Sequence, residues 1–286
     1  MTRFVYLSDT HLGTASPGYQ MQPACAGQLG EIFGALEQWI REDGAIDFVL
    51  HGGDLLDNGR RDTIAASVET FRLPVPTFLC LGNHDLTEKE SLENWLSLRP
   101  DLFPQGRPEF TVETADLAVH VVPNHWNGLH HHWPGEINEP CFFPDQMEAL
   151  DRRCRAAKGR VQIVATHTPI FGLPPAQTGL AEPLHEPEAA WVAPLREVVH
   201  AHPGVRCVLG GHSHLNMCLE RERVHYITAS ALVETPFEFK LFEIGPGSLT
   251  MQTIPLADRL PFAPAYRAER AYVQGRECDR ALSLPL

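Results

Sequence analysis

Five stretches of this chain share a pattern that few folds accommodate: an apolar run of strand length that stops abruptly in acids, amides or imidazoles. They are "RFVYLSDTH" with Asp9 and His11, "IDFVLHGGD" with Asp54, and "PTFLCLGNHD" with Asn83, His84 and Asp85. "VQIVATHTP" with His167 and "VRCVLGGHSH" with His212 and His214 complete the set. Each run is rich in β-branched or aromatic residues and predicts a buried strand. A core strand has no use for successive polar side chains, whereas the carboxyl ends of strands in open α/β sheets are where ligands gather. The pattern predicts that one rim of a sheet carries the chemistry.

Helical periodicity fills the gaps, at residues 27–42, 63–70, 88–98, 144–157 and 188–201. In the first, Leu29, Ile32, Phe33, Leu36 and Ile40 form one apolar stripe. Early strand–helix alternation implies βαβ crossovers. Later, "EFTVETADLAVHVVP" and "FEFKLFEIGPGSLTMQTIPL" read as hairpins turning at 114–116 and 245–247. The expected fold class is α/β (α+β), a pair of mixed sheets flanked by helices. The simplest division is one domain over residues 1–257, with an inserted loop at 124–140, followed by an irregular tail at 258–286.

Charge and cysteine usage narrow the function. A net charge of -13 disfavours a nucleic-acid polymer as partner, which needs a basic stripe to displace counterions. No apolar run approaches the roughly 20 residues that span a bilayer. The 7 cysteines are scattered, without a CxxC pair, and indicate neither a disulfide framework nor a thiolate metal site. No secretory leader is recognised, and cleavage within "MTRFVYLSDTHLG" would remove Asp9 and His11. A cytoplasmic protein is expected, and a homo-oligomer is compatible with the sequence.

Taken singly, each polar cluster has a plain explanation: Asp54 after Gly52-Gly53 suits a turn, and Asp9 suits a helix cap. Together they supply oxygen and imidazole donors suited to manganese, iron, zinc, nickel or cobalt. Two such cations roughly 3.5–4 Å apart can clamp both oxygens of a phosphoryl transfer.

The ordered series "SDTH", "GGDLLD", "GNHD", "THTP" and "GHSH" resembles the calcineurin-like metallophosphoesterase superfamily, from Asp9 to His214. The resemblance implies a four-layer α/β/β/α sandwich and a cofactor of two divalent or trivalent metal ions. It implies that Asp9, His11, Asp54 and His214 hold the first metal, and that Asp54 bridges to a second completed by Asn83, His167 and His212. It further implies in-line attack by a metal-bridging hydroxide, with His84 assisting the leaving oxygen and Asp85 orienting the His84 ring.

"GGDLLDNGRRD" has Asn58 after Asp57, without the arginine that Ser/Thr protein phosphatases place there. It looks more like the GDxxDxG form of small-molecule phosphodiesterases, cyclic-nucleotide ones included. The expected substrate is therefore a small phosphodiester; the alternatives are a phosphomonoesterase, a nuclease or a non-catalytic scaffold. Arg60 and Arg61 are candidate phosphate contacts, against a solvated role. Trp126 and His130, in "NHWNGLHHHWPGE", are candidates for a flap that stacks on substrate, against a surface loop whose tryptophans pack down. The loop "HTPIFGLPPAQTG" after His167 is placed to form a further wall.

Overall fold

The period of two in the apolar runs is what builds the sandwich. In the computed structural model, which describes residues 1–14, 21–125, 140–263 and 265–286, alternate residues of each central strand enter different cores. Ile163 and Ala165 of β6 (Val161–Ala165) face the core shared by both sheets, while Val164 between them joins a second core outside. Cys207 and Leu209 of β7 (Val205–Gly210) do likewise around Val208.

The first sheet runs β12-β11-β10-β1-β2-β3. Its members are β1 (Thr2–Leu7), β2 (Phe48–His51), β3 (Thr77–Leu79), β10 (Glu238–Gly245), β11 (Ser248–Pro255) and β12 (Ala281–Pro285). β1, β2 and β3 are parallel; β10, β11 and β12 extend the sheet antiparallel. Phe4 stacks between Phe48 and Phe242 at 4.9 and 4.8 Å, an aromatic ladder that fixes the register across three strands.

The second sheet runs β4-β5-β6-β7-β9-β8, where β4 is Phe110–Glu113, β5 Leu117–Val121, β8 Met217–Arg221 and β9 Val224–Thr228. Its centre is parallel and its two edge pairs are antiparallel. Both expected hairpins are present, as β4–β5 and β10–β11.

Helices cover the sheets as the stripes required. α1 (Leu29–Asp43) presents Ile32, Leu36 and Ile40 to the core and sets Trp39 against Phe239 of β10. α2 (Arg61–Thr70) and α3 (Ser91–Leu98) follow β2 and β3. On the outer face of the second sheet, α4 (Pro144–Ala156) packs Leu150 and Cys154 beside Leu195 and Val199 of α6 (Ala189–Ala201). A short helix, α5 (Pro175–Thr178), precedes α6. The expected arrangement of two mixed sheets flanked by helices is what is observed. Among the described residues, no helix is long and apolar enough to cross a membrane.

Residues 258–286, expected as an irregular tail, are ordered differently. They carry α7 (Glu277–Arg280) and then β12, which pairs with β11 at the sheet edge. The strand was missed because "ALSLP" is too short to show its alternation. Its docking surrounds a buried cation: Lys240 Nζ donates to Thr253 Oγ1 at 2.7 Å and to the Asp279 carbonyl at 3.2 Å. Burial pushes the Lys240 ammonium down to about 7, against the attraction of Glu238.

Between that value and the ordinary lysine range, the unfolded chain binds more protons than the native one. Stability therefore rises with pH across this window, and the penalty is fully present below it. Relative to Lys240→Met, wild type should gain stability from pH 7 to pH 10, with a slope of up to about 1.4 kcal/mol per pH unit. Denaturant unfolding of both proteins at the two pH values reads this; a constant gap between them contradicts the assignment.

Candidate metal centre

The parallel registers bring the polar strand ends to one rim. Gly52 N–H bonds to the Leu7 carbonyl at 2.7 Å and Cys80 N–H to the His51 carbonyl at 2.9 Å, so the loops after β1, β2 and β3 leave side by side. Ser8 bridges to Ala231, and Gly211 N–H bonds to the His167 carbonyl at 2.8 Å, which joins the second sheet's loops to the same rim.

The backbone there is strained. Asp9, His11, Asp54, His212 and His214 all adopt positive φ, between 43° and 59°. L-residues avoid this region, and its repeated use in one cluster marks a functional constraint. Two glycines make room: a Cβ on Gly82 would collide with Asp54, and one on Gly211 with Ser8 and Asp9.

Donor atoms of His11, Asp57 and His84 lie within 4.8 Å of one another, and the expected ligands form two further groups. In one, donor atoms of Asp9, His11 and His214 lie within 4.8 Å of one another; in the other, those of Asp54, His167 and His212 do. His11 Nε2 is 3.2 Å from His214 Nε2, and His214 Nε2 is 3.5 Å from Asp9 Oδ1. Asn83 Oδ1 lies 3.1 Å from His212 Nδ1, so the amide joins the second group. Asp54 Oδ2 stands between the groups, 3.2 Å from His167 Nε2 and 3.9 Å from His11 Nε2. All seven residues expected as metal ligands thus converge.

Charge is tightly balanced. Asp9, Asp54 and His167 are at most 1% exposed. Burial would lift the Asp9 carboxyl, but the charge of His214 overcomes it and holds the group below the ordinary range. Burial likewise opposes ionisation of Asp54, and His167 reverses that. The imidazoles respond in kind: burial disfavours their charge, yet Asp54 lifts His167 to about 9 and Asp9 lifts His214 to about 10. Burial pushes His11 down to about 3.

That arrangement fits metal ions. His167 Nε2 is buried without an aligned hydrogen-bond partner, while its Nδ1 donates to the Gly52 carbonyl at 2.9 Å. The bond fixes the ring so that Nε2 faces Asp54. His214 is oriented in the same way: its Nδ1 donates to Glu234 Oε1 at 2.5 Å, and Glu234 is itself held by the Met21 and Gln22 N–H groups.

The other expected residues are distributed differently. His84 lies beside the first group, its ring 4.8 Å from that of His11, and its Nδ1 donates to the Asp57 carbonyl at 2.8 Å. Asp85 does not orient that ring. Its carboxylate accepts the backbone N–H groups of Asp54, Leu56 and Gly82, at 2.9, 3.1 and 2.9 Å. Consecutive residues in the short turn after β3 point apart, which is why neighbours in sequence do not meet.

Arg60 pairs with Asp62, and Arg61 donates to Asn94 at 2.8 Å, both on the exposed side of α2. The structure does not bring them to the cluster. Trp126 and His130 lie outside the described residues. His125, at the edge of that loop, does reach the site, with its ring 5.9 Å from His167 and 6.0 Å from His212.

Asp57 and Glu234 were missed by sequence reasoning. Asp57 holds His84 through its backbone carbonyl, which no side-chain motif reports, and sets its carboxylate 3.8 Å from His84 Nδ1 and 3.9 Å from His11 Nδ1. Glu234 ends the apolar run "ASALVE" and carried the same signal as the five strand ends.

Residues 2–216 match the calcineurin-like phosphoesterase family. No curated protein matches the chain. The fold is similar to that of a dimetal phosphatase from Danio rerio, with 16% identity and a TM-score of 0.66 over 89% of this chain and 96% of that one. It is also similar to GAP50, the anchor in the inner membrane complex of Plasmodium, with 13% identity and a TM-score of 0.63 over 97% and 90%. A purple acid phosphatase from yellow lupin (Lupinus luteus) seeds gives 13% identity and a TM-score of 0.61, covering 99% of this chain and 53% of that one. At such identities these likenesses establish the fold alone. The match over residues 2–216, three quarters of the sequence, makes this chain a member of the calcineurin-like phosphoesterase family and hence a dimetal phosphoesterase.

Proposed function

We propose that the chain is a dinuclear metal-dependent phosphodiesterase acting on small phosphodiesters, cyclic nucleotides among them. The observation that carries this reading is Asp54 Oδ2, one carboxylate oxygen facing both donor groups. Asp9, His11 and His214 would hold one cation, Asn83, His167 and His212 the other, and Asp54 both. Manganese, iron, zinc, nickel and cobalt all suit these donors. Two such cations, when bound, supply Lewis acidity and acidify water near neutral pH.

The chain's own residues supply position and protons. His84 N–H donates to Asp54 Oδ1 at 2.8 Å, so the turn that carries this imidazole is tied to the shared carboxylate. With Nδ1 held by Asp57, Nε2 is the atom presented to the departing oxygen, and His84 serves as acid or electrostatic clamp. Asp85 is a positioning residue for Asp54, acting through the backbone.

Diester preference rests on charge. Among the described residues, the hydrogen bonds that hold the cluster come from His, Asp, Asn, Glu and backbone groups, while Arg60 and Arg61 bond elsewhere. A monoester carries one more negative charge than a diester, and neither Arg60 nor Arg61 is free to meet it. GAP50 has a similar fold and is an anchor; here the complete donor set and His84 favour an enzyme over a scaffold. A net charge of -13 disfavours a nucleic-acid polymer as substrate. The catalytic unit is residues 1–257 with the following segment docked on it through β12, and free thiols throughout suit the reducing cytoplasm.

Manganese-reconstituted protein should hydrolyse bis(p-nitrophenyl) phosphate with a higher kcat/KM than p-nitrophenyl phosphate; the reverse order makes it a monoesterase. His84→Ala should retain wild-type metal content while kcat falls about 10²- to 10³-fold. Wild-type turnover in that variant refutes the role of His84.

A further inference from the structure

Beside the metal centre lies a cavity of about 530 Å³ that the reaction chemistry does not require. His212 lines it and belongs to the second donor group, so the cavity opens from the centre itself. Phe171, Leu173 and Trp191 give it an apolar, largely aromatic wall, reinforced by three prolines. The charged side chains of its lining are Glu186 and Glu188; among the described residues, no Lys or Arg lines it.

The wall is built into the fold. Leu173 and Leu184 exchange backbone hydrogen bonds at 2.8 and 3.0 Å, strapping residues 184–188 across the loop that follows His167. Gly172 N–H donates to Glu186 Oε2 at 2.8 Å, and a Cβ at Gly172 would collide with the Glu186 backbone. Trp191 is braced by Phe142, with ring centroids 5.6 Å apart.

We infer that this cavity is the leaving-group site and selects phosphate esters whose alcohol is planar, apolar and not anionic. The inference rests on the reading of the metal centre as a phosphate-ester site. The volume falls within the roughly 300–1,000 Å³ range of small-molecule pockets, enough for an aryl or nucleobase-sized group. Aromatic walls favour flat apolar groups; Arg196 stands over Phe171 and pairs with Glu222, while the carboxylates of Glu186 and Glu188 line the cavity and repel a second anion. Esters with a further phosphate or carboxylate on the leaving group are thereby disfavoured.

Isothermal titration calorimetry of the manganese-loaded protein tests this without turnover. Methylphosphonate engages the centre alone, benzylphosphonate reaches into the cavity, and 4-carboxybenzylphosphonate carries an anion into it. Wild type should bind benzylphosphonate about tenfold more tightly than methylphosphonate, and Trp191→Ala should bring that ratio near one. It should bind the carboxy derivative more weakly than benzylphosphonate, and Glu188→Gln, at the exposed start of α6, should narrow that gap. Equal binding of benzyl- and methylphosphonate by wild type, an unchanged ratio in Trp191→Ala, or equal binding of the two aryl ligands overturns the inference. Failure of methylphosphonate to bind wild type at all overturns the metal-centre reading, and the cavity assignment with it.

Discussion

The structure turns on one carboxylate. Asp54 sits at the carboxyl end of β2, buried in the left-handed region of backbone space, with one oxygen between two groups of donors. No isolated carboxylate tolerates such burial, because removal from water costs several kcal/mol unless charge and hydrogen bonds compensate. The surroundings are arranged to meet that cost. His84 N–H bonds to Asp54 Oδ1, and Asp85 grips the Asp54 backbone together with Leu56 and Gly82. Gly82 has no side chain because Asp54 occupies the space a Cβ would need.

That constraint explains why both sheets are needed. Asp9 and Asp54 come from adjacent parallel strands of the first sheet, while His167 follows β6 and His212 and His214 follow β7 of the second. His212 N–H closes the circle by donating to both oxygens of Asp9, at 3.1 and 3.0 Å. The shared core holds the two sheets in register, and the rim inherits that precision. Strained φ values are tolerated at five donor positions because the hydrogen-bonded loops around them are over-determined. The same rim sets the direction of the cavity, since the residues after His167 run from the donor cluster into the aromatic wall.

The sequence made the strands and donors legible for a simple physical reason. A parallel strand buried on both faces reads as an unbroken apolar run, and its polar termination stands out against it. Asp9, His11, Asp54, Asn83, His167, His212 and His214 could be found that way, as could the two hairpins. Contacts made through backbone atoms were invisible. Asp57 holds His84 with a carbonyl, and Asp85 serves three N–H groups rather than the adjacent imidazole. Glu234 lies 20 residues beyond His214, and its pairing with that ring is created only by the fold. β12 escaped notice because five residues at a sheet edge, half exposed, owe their place to the neighbouring strand rather than to their own pattern.

In the proposed centre Asp54 joins two cations, and the magnetism of bound manganese reads that directly. Wild-type protein loaded with manganese should take up two ions per chain and show the electron paramagnetic resonance of an exchange-coupled pair. Asp54→Ala should lose the coupled signal along with metal occupancy. Two uncoupled ions in wild type, or a coupled pair that survives in Asp54→Ala, would contradict the shared-carboxylate centre.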